Sequence, residues 1–123
     1  MPKILLADDN EMNRDMLSRR LRHRGYEVVV AVDGAEAVAQ AASTAPDLIL
    51  MDLSMPVQDG WQATAQIKDS PATQQIPVIA LTAHRINAED ALMAGFDGYA
   101  IKPVELADLL KQIESLLGTA PGA

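Results

Sequence analysis

The sequence predicts an α/β domain of (βα)5 type: a doubly wound, five-stranded parallel sheet with helices on both faces, in the flavodoxin-like strand order 2-1-3-4-5. Three observations predict it. Apolar runs of strand length alternate with helical patterns along the whole chain. The central run, Leu48-Ile49-Leu50-Met51, shows no polar alternation, the pattern of a strand buried on both faces of a parallel sheet. It ends abruptly in Asp52, and a Pro- and Gly-punctuated loop to Gly60 follows at once. Asp52 therefore stands where a packed core meets solvent, at the strand end beyond which open α/β sheets bind their ligands.

The elements follow in order. Ile4 to Ala7 is the first strand, and Asp8-Asp9-Asn10 offers caps for a helix carrying Met12, Met16, Leu17 and Leu21, with Gly25 as its stop. The second half of that helix bears Arg19, Arg20, Arg22, His23 and Arg24, cations at the end the macrodipole favours. They read first as a solvated face and second as a partner-docking face. Val28 to Val32 is the second strand. Asp33 and Glu36 then stand at capping-box spacing before a helix with Ala35, Val38, Ala39 and Ala42 on one stripe. Beyond the central strand, Asp59 caps a third helix with Trp61, Thr64, Ala65 and Lys68 on one side, and Ser70-Pro71 breaks it. Trp61 reads as packing rather than ligand binding. Val78 to Leu81 is the fourth strand, ending in Thr82-Ala83-His84. A short helix from Asn87 to Ala94 has Gly95 at its C′ position. Gly98 to Ile101 is the fifth strand, ending in Lys102-Pro103, and Leu106, Leu109, Leu110, Ile113, Leu116 and Leu117 mark the last helix, closed by Gly118.

Composition bounds the function. A chain of 123 residues, nearly half of them hydrophobic, is sized for one domain, expected over residues 1–118 with 119–123 as a frayed tail. Ten basic against seventeen acidic side chains give a net charge of −7, which opposes direct nucleic-acid binding. Apolar runs are far shorter than a membrane span and no signal peptide precedes Ile4, so no membrane insertion and a cytoplasmic location are expected. The absence of cysteine excludes disulfides, thiolate metal sites and a cysteine nucleophile.

The topology gathers polar residues at one sheet edge: Asp8 and Asp9 after the first strand, Asp52 after the third, Thr82 after the fourth and Lys102 after the fifth. Each alone has an ordinary explanation as a cap, turn or surface residue; as a set they do not. Three converging carboxylates repel unless a cation neutralises them, and without thiolates or a suitably placed histidine the ligands are hard oxygens, which suits Mg2+. Lys102 supplies a mobile point charge for a phosphoryl oxygen and the Thr82 hydroxyl a donor to another. The set describes phosphoryl transfer onto a carboxylate.

The motifs I-L-L-A-D-D-N, L-I-L-M-D-L-S-M-P…D-G, P-V-I-A-L-T-A and G-Y-A-I-K-P, followed by an amphipathic helix, resemble the receiver domain of two-component response regulators across essentially the whole chain. The resemblance implies a regulatory phosphoacceptor domain rather than a turnover enzyme. Asp52 would be the phosphoacceptor, Asp9 a direct Mg2+ ligand, Asp8 an acid acting through metal-bound water, and the Ser54 backbone carbonyl a further ligand. The phosphoryl donor would be a histidine kinase or histidine phosphotransfer protein, with the domain assisting its own phosphorylation and dephosphorylation. Thr82 and Tyr99 would form the switch and move the face of helix four and strand five toward a downstream protein target, in a monomer or weak phosphorylation-dependent dimer. His84 would modulate phosphate lifetime, and Lys102-Pro103 would be a cis peptide. Such a module serves as a stand-alone regulator or as part of a hybrid kinase or multidomain regulator.

Two other classes fit less well. A flavodoxin-like electron carrier needs a hydroxyl- and glycine-rich phosphate loop after strand one, where Asp8-Asp9 would repel the phosphate. A haloacid dehalogenase-type phosphatase carries a second acid two residues beyond its nucleophile, where this chain has Ser54.

Overall fold

The computed structural model describes residues 2–55, 57–83 and 86–118; His84 and the tail 119–123 lie outside them. Five parallel strands, β1 (Lys3–Ala7), β2 (Glu27–Ala31), β3 (Leu48–Asp52), β4 (Val78–Thr82) and β5 (Gly98–Ile101), pair in the order β2-β1-β3-β4-β5. They alternate with α1 (Glu11–His23), α2 (Gly34–Thr44), α3 (Gly60–Asp69), α4 (Ala88–Met93) and α5 (Leu106–Leu117). The strand order reverses beside β1, whose register with β3 runs from Ile4 opposite Leu48 to Ala7 opposite Met51. Asp8 and Asp52 therefore follow paired residues and leave the sheet side by side.

Strand periodicity splits the core into two layers. Leu5, Ala7, Ile49, Met51, Val78 and Ala80 face Ala37, Ala41, Ala63, Ile67 and Ala91 of α2, α3 and α4. Ile4, Leu6, Leu48, Leu50, Ile79 and Leu81 face Leu17 and Leu21 of α1 and Leu109, Leu110 and Ile113 of α5. Each fully buried leucine or isoleucine here contributes about 1.5–3 kcal/mol relative to an exposed one. All five residues of β3 and of β4 are buried, as a sheet covered on both faces requires.

The helix starts follow their caps. The Asn10 side chain accepts from the N–H of Asn13, Asp33 from that of Glu36, Asp59 from that of Gln62 and Asn87 from that of Glu89. Gly95 and Gly118 take positive φ at the ends of α4 and α5, where a side chain would be strained.

Helix phase is where structure and expectation part. In α1, Met12 and Met16 are 80% and 50% exposed, while Leu17, Ser18 and Leu21 are buried. In α2 the buried stripe is Gly34, Ala37 and Ala41, with Val38 half-buried and Ala35, Ala39 and Ala42 exposed. Alanine occurs on every side of this helix and carries no phase; the close seat of Gly34 fixes the rotation. In α3 the stripe is Gly60, Ala63, Thr64 and Ile67, and Ala65 is exposed, because burying the large Ile67 outweighs burying a methyl group. The second strand stops at Ala31, leaving Val32 exposed in the following turn.

Candidate functional site

Each site residue leaves the C-terminal edge of the sheet. Asp8 is 1% and Asp52 4% exposed, while Asp9 lies open to solvent. Among the described residues these three form a cluster whose carboxylate oxygens lie within 4.8 Å of one another. Lys102, just past β5, reaches back with its Nζ 3.2 Å from Asp8 Oδ2 and 3.1 Å from Asp52 Oδ2. The remaining oxygens are also held: Asp8 Oδ1 accepts from the Asn10 N–H at 2.9 Å and Asp52 Oδ1 from the Ser54 N–H at 3.1 Å. Thr82 is buried at the end of β4, and its carbonyl accepts from the Lys102 N–H at 2.7 Å. The chain turns there through a cis Lys102-Pro103 peptide.

Burial is the main cause that raises the Asp52 carboxyl above its ordinary range, and the Asp8 charge adds to it; the Ser54 N–H and Lys102 pull the other way without prevailing. Burial alone would lower Lys102. The Asp8 and Asp52 carboxylates outweigh it, and the ammonium is raised instead. The site thus pairs a carboxylate that resists charging with an ammonium that resists neutralisation. The donor set suits a hard divalent cation: Asp8, Asp9 and Asp52 each offer a carboxylate oxygen within 4.8 Å of the others, and such an ion would take oxygen ligands from them and from water.

Tyr99, opposite Ala80 in the sheet register, is half-buried against the layer that contains Ala91 and Phe96. Trp61 packs edge-on to Phe96 with ring centroids 5.2 Å apart, as expected of a packing residue. On the other side of the sheet, a groove of about 420 Å³ runs between α1 and the start of α5. Met16, Leu17, Arg20, Pro103, Val104 and Leu106 line it, and it opens onto Asp8 and Lys102.

Sequence reasoning missed two supports. Arg14 donates to the Asp8 backbone carbonyl at 2.8 Å, stiffening the turn that presents the acid pair. Gly34 and Gly60 lie directly against the loop that follows Asp52. The signal for both glycines was present, since each follows a capping aspartate as an Asp-Gly pair.

Residues 4–114 match the family model for the response regulator receiver domain. The chain belongs to that family. The expected fold and family are thereby borne out. Among solved structures, this receiver is similar to the receiver domain of sensor histidine kinase PA1611 from Pseudomonas aeruginosa, with TM-score 0.88, 36% identity and coverage of 96% of this chain and 98% of that one. In that structure a magnesium ion is coordinated in the active site cleft. It is 34% identical to the polar-differentiation response regulator DivK of Brucella anthropi over 98% of this chain and 100% of that protein. It is 39% identical to the transcriptional regulatory protein PrrA of Mycobacterium leprae over 94% of this chain. The chain spans half the length of PrrA and 26% of the response regulator PleD of Caulobacter vibrioides. As a receiver, it is a signalling module of two-component systems. No helix among the described residues is long and apolar enough to cross a membrane.

Proposed function

We propose that this receiver accepts a phosphoryl group on Asp52 from a phosphohistidine of a histidine kinase or histidine phosphotransfer protein, in the cytoplasm, and that it is a regulatory phosphoacceptor rather than a turnover enzyme. The observation that carries this reading is Asp52 itself: a buried strand-end carboxylate within reach of two other acids and paired with Lys102. A carboxylate oxygen of Asp52 attacks phosphorus, the P–O bond forms as the P–N bond to the donor imidazole breaks, and the imidazole leaves with that electron pair. Mg2+, held by Asp9, Asp52 and the Ser54 carbonyl with Asp8 acting through bound water, would neutralise charge on the phosphoryl oxygens.

The chain's own residues do the rest. Lys102, already 3.1 Å from Asp52, exchanges its carboxylate contact for a phosphoryl oxygen, and the Thr82 hydroxyl donates to another. Drawing Thr82 inward vacates space on the face where Tyr99 lies half-buried, and Tyr99 turns into it. The face of α4 and β5 is then the output surface for a downstream protein, and a weak dimer of the phosphorylated form is one such output. His84 is assigned the tuning of phosphate lifetime. The apolar groove beside α1 suits docking of the donor protein, since it opens onto Asp8 and Lys102. The same chemistry serves a stand-alone regulator or a receiver within a hybrid kinase.

The test is incubation with a small acyl phosphate and Mg2+, followed by intact mass measurement. The parent should gain one hydroxylamine-labile phosphoryl group and Asp52→Asn none. Equal labelling of both proteins would overturn the assignment.

A further inference from the structure

Two Asp-Gly pairs, Asp33-Gly34 and Asp59-Gly60, open the helices on either side of β3. In each the aspartate caps the helix and the glycine is its first residue. Neither glycine has a positive φ, so conformational freedom does not explain them. Space does. A Cβ at Gly60 would lie 2.9 Å from the Leu53 Cα and closer still to the Asp52 carbonyl oxygen. A Cβ at Gly34 would lie 2.9 Å from the Gln58 Cβ, 2.6 Å from its carbonyl carbon and closer still to its carbonyl oxygen. The obstructing atoms are mostly backbone, which cannot swing aside as a long side chain can.

The loop from Leu53 to Asp59 is therefore gripped at both ends. Gly60 meets its root, and Gly34, from a different helix, meets its far limb. Between them Ser54 donates its N–H to Asp52 Oδ1, and Val57 sits at φ 68°, a conformation that a β-branched residue holds only where its surroundings impose it.

We propose that Gly34 is a positioning residue for the acidic site. By leaving room for the Gln58 backbone against the first turn of α2, it sets the path of the loop and hence the place of Ser54 relative to Asp52. The inference rests on the reading of Asp8, Asp9, Asp52 and Ser54 as a cation site, and its test separates the two.

Amide NMR shifts of Ser54 and Gln58 are compared in metal-free parent and Gly34→Ala, and each protein is then titrated with Mg2+. Leu109→Ala, which opens a cavity in the opposite layer, serves as a control for lost stability alone. Gly34→Ala should displace both amide shifts without metal and weaken Mg2+ binding roughly tenfold, with acyl phosphate labelling recovered at proportionally higher Mg2+. Leu109→Ala should keep the parent's affinity. Parent-like Ser54 shifts and affinity in Gly34→Ala would overturn the proposal, as would an equal loss in Leu109→Ala. A parent that binds no Mg2+ would sink the cation-site reading, and the Ser54 shifts would still judge Gly34. If Gly34→Ala does not fold, Gly34→Ala/Gln58→Gly carries the same measurements, because a glycine at 58 lets the loop yield.

Discussion

Asp52 is held in a position that folding alone would not favour. Its carboxyl is raised, first by burial and then by Asp8, so the folded chain holds this proton more tightly than the unfolded chain does. Stability therefore falls as pH climbs from about 3.9, the ordinary value, through the raised folded value, and stays lowered above it. In metal-free buffer Asp52→Asn should melt above the parent at neutral pH, with the gap closing as pH drops below about 4. A gap independent of pH in thermal melts would contradict this cause. Lys102 behaves in the opposite sense: its raised ammonium keeps its pairing with Asp8 and Asp52 through the neutral range and loses it only in alkali. Val57 is a second local cost, because its φ of 68° disfavours a β-branched side chain. Val57→Asn, better suited to that conformation, should gain about 1 kcal/mol by denaturant titration.

At the scale of elements, the far edge of the sheet is tied by Lys68, a residue on a solvent-leaning side of α3. Its ammonium reaches the Ile76 carbonyl at 2.7 Å and Asp97 at 3.2 Å, while Asp97 also accepts from the Val78 N–H at 2.9 Å. One cation thus fastens α3 to the turns before β4 and β5. Lys68→Met keeps the stem against Gly95 and removes the charge, so a loss of about 1 kcal/mol is expected in chemical denaturation, reduced from a buried value because both partners are partly exposed. No sequence signal announced this tie, since its partners lie on different elements and short-range patterns do not report tertiary contacts. The strands were legible, because continuous apolar runs such as Leu48 to Met51 have one reading at that length. The caps Asn10, Asp33 and Asp59 were legible for the same local reason. Helix rotation was not: alanine-rich α2 offers no contrast between its faces, and Met12 and Met16 look like core yet project outward. The positions of Asp8, Asp52, Thr82 and Lys102 were legible because each closes or directly follows a recognisable strand, and topology alone brings the strand ends together.

Across the whole molecule, chemistry and packing occupy different ends of one sheet. The C-terminal edge carries Asp8, Asp52, Thr82 and Lys102. The opposite edge is closed by structural contacts such as the Asp47 carboxylate accepting from the Lys3 N–H at 2.7 Å. The groove beside α1 joins the chemical end to an arginine-bearing helix in a chain of net charge −7. Arg20→Glu should slow phosphotransfer from a protein donor roughly tenfold while labelling by a small acyl phosphate persists, which separates docking from chemistry. Equal slowing with both donors would place the effect in the acidic site instead. Three carboxylates and one ammonium leave two surplus negative charges in a recess where Asp8 and Asp52 are buried and Asp9 meets solvent. A divalent ion cancels that surplus, and phosphoryl transfer, which turns the single charge of the Asp52 carboxylate into the two of an acyl phosphate, brings one negative charge back. The recess is thus balanced by the ion alone and carries a negative excess again once phosphorylated, so the repulsion falls on the very group it stores.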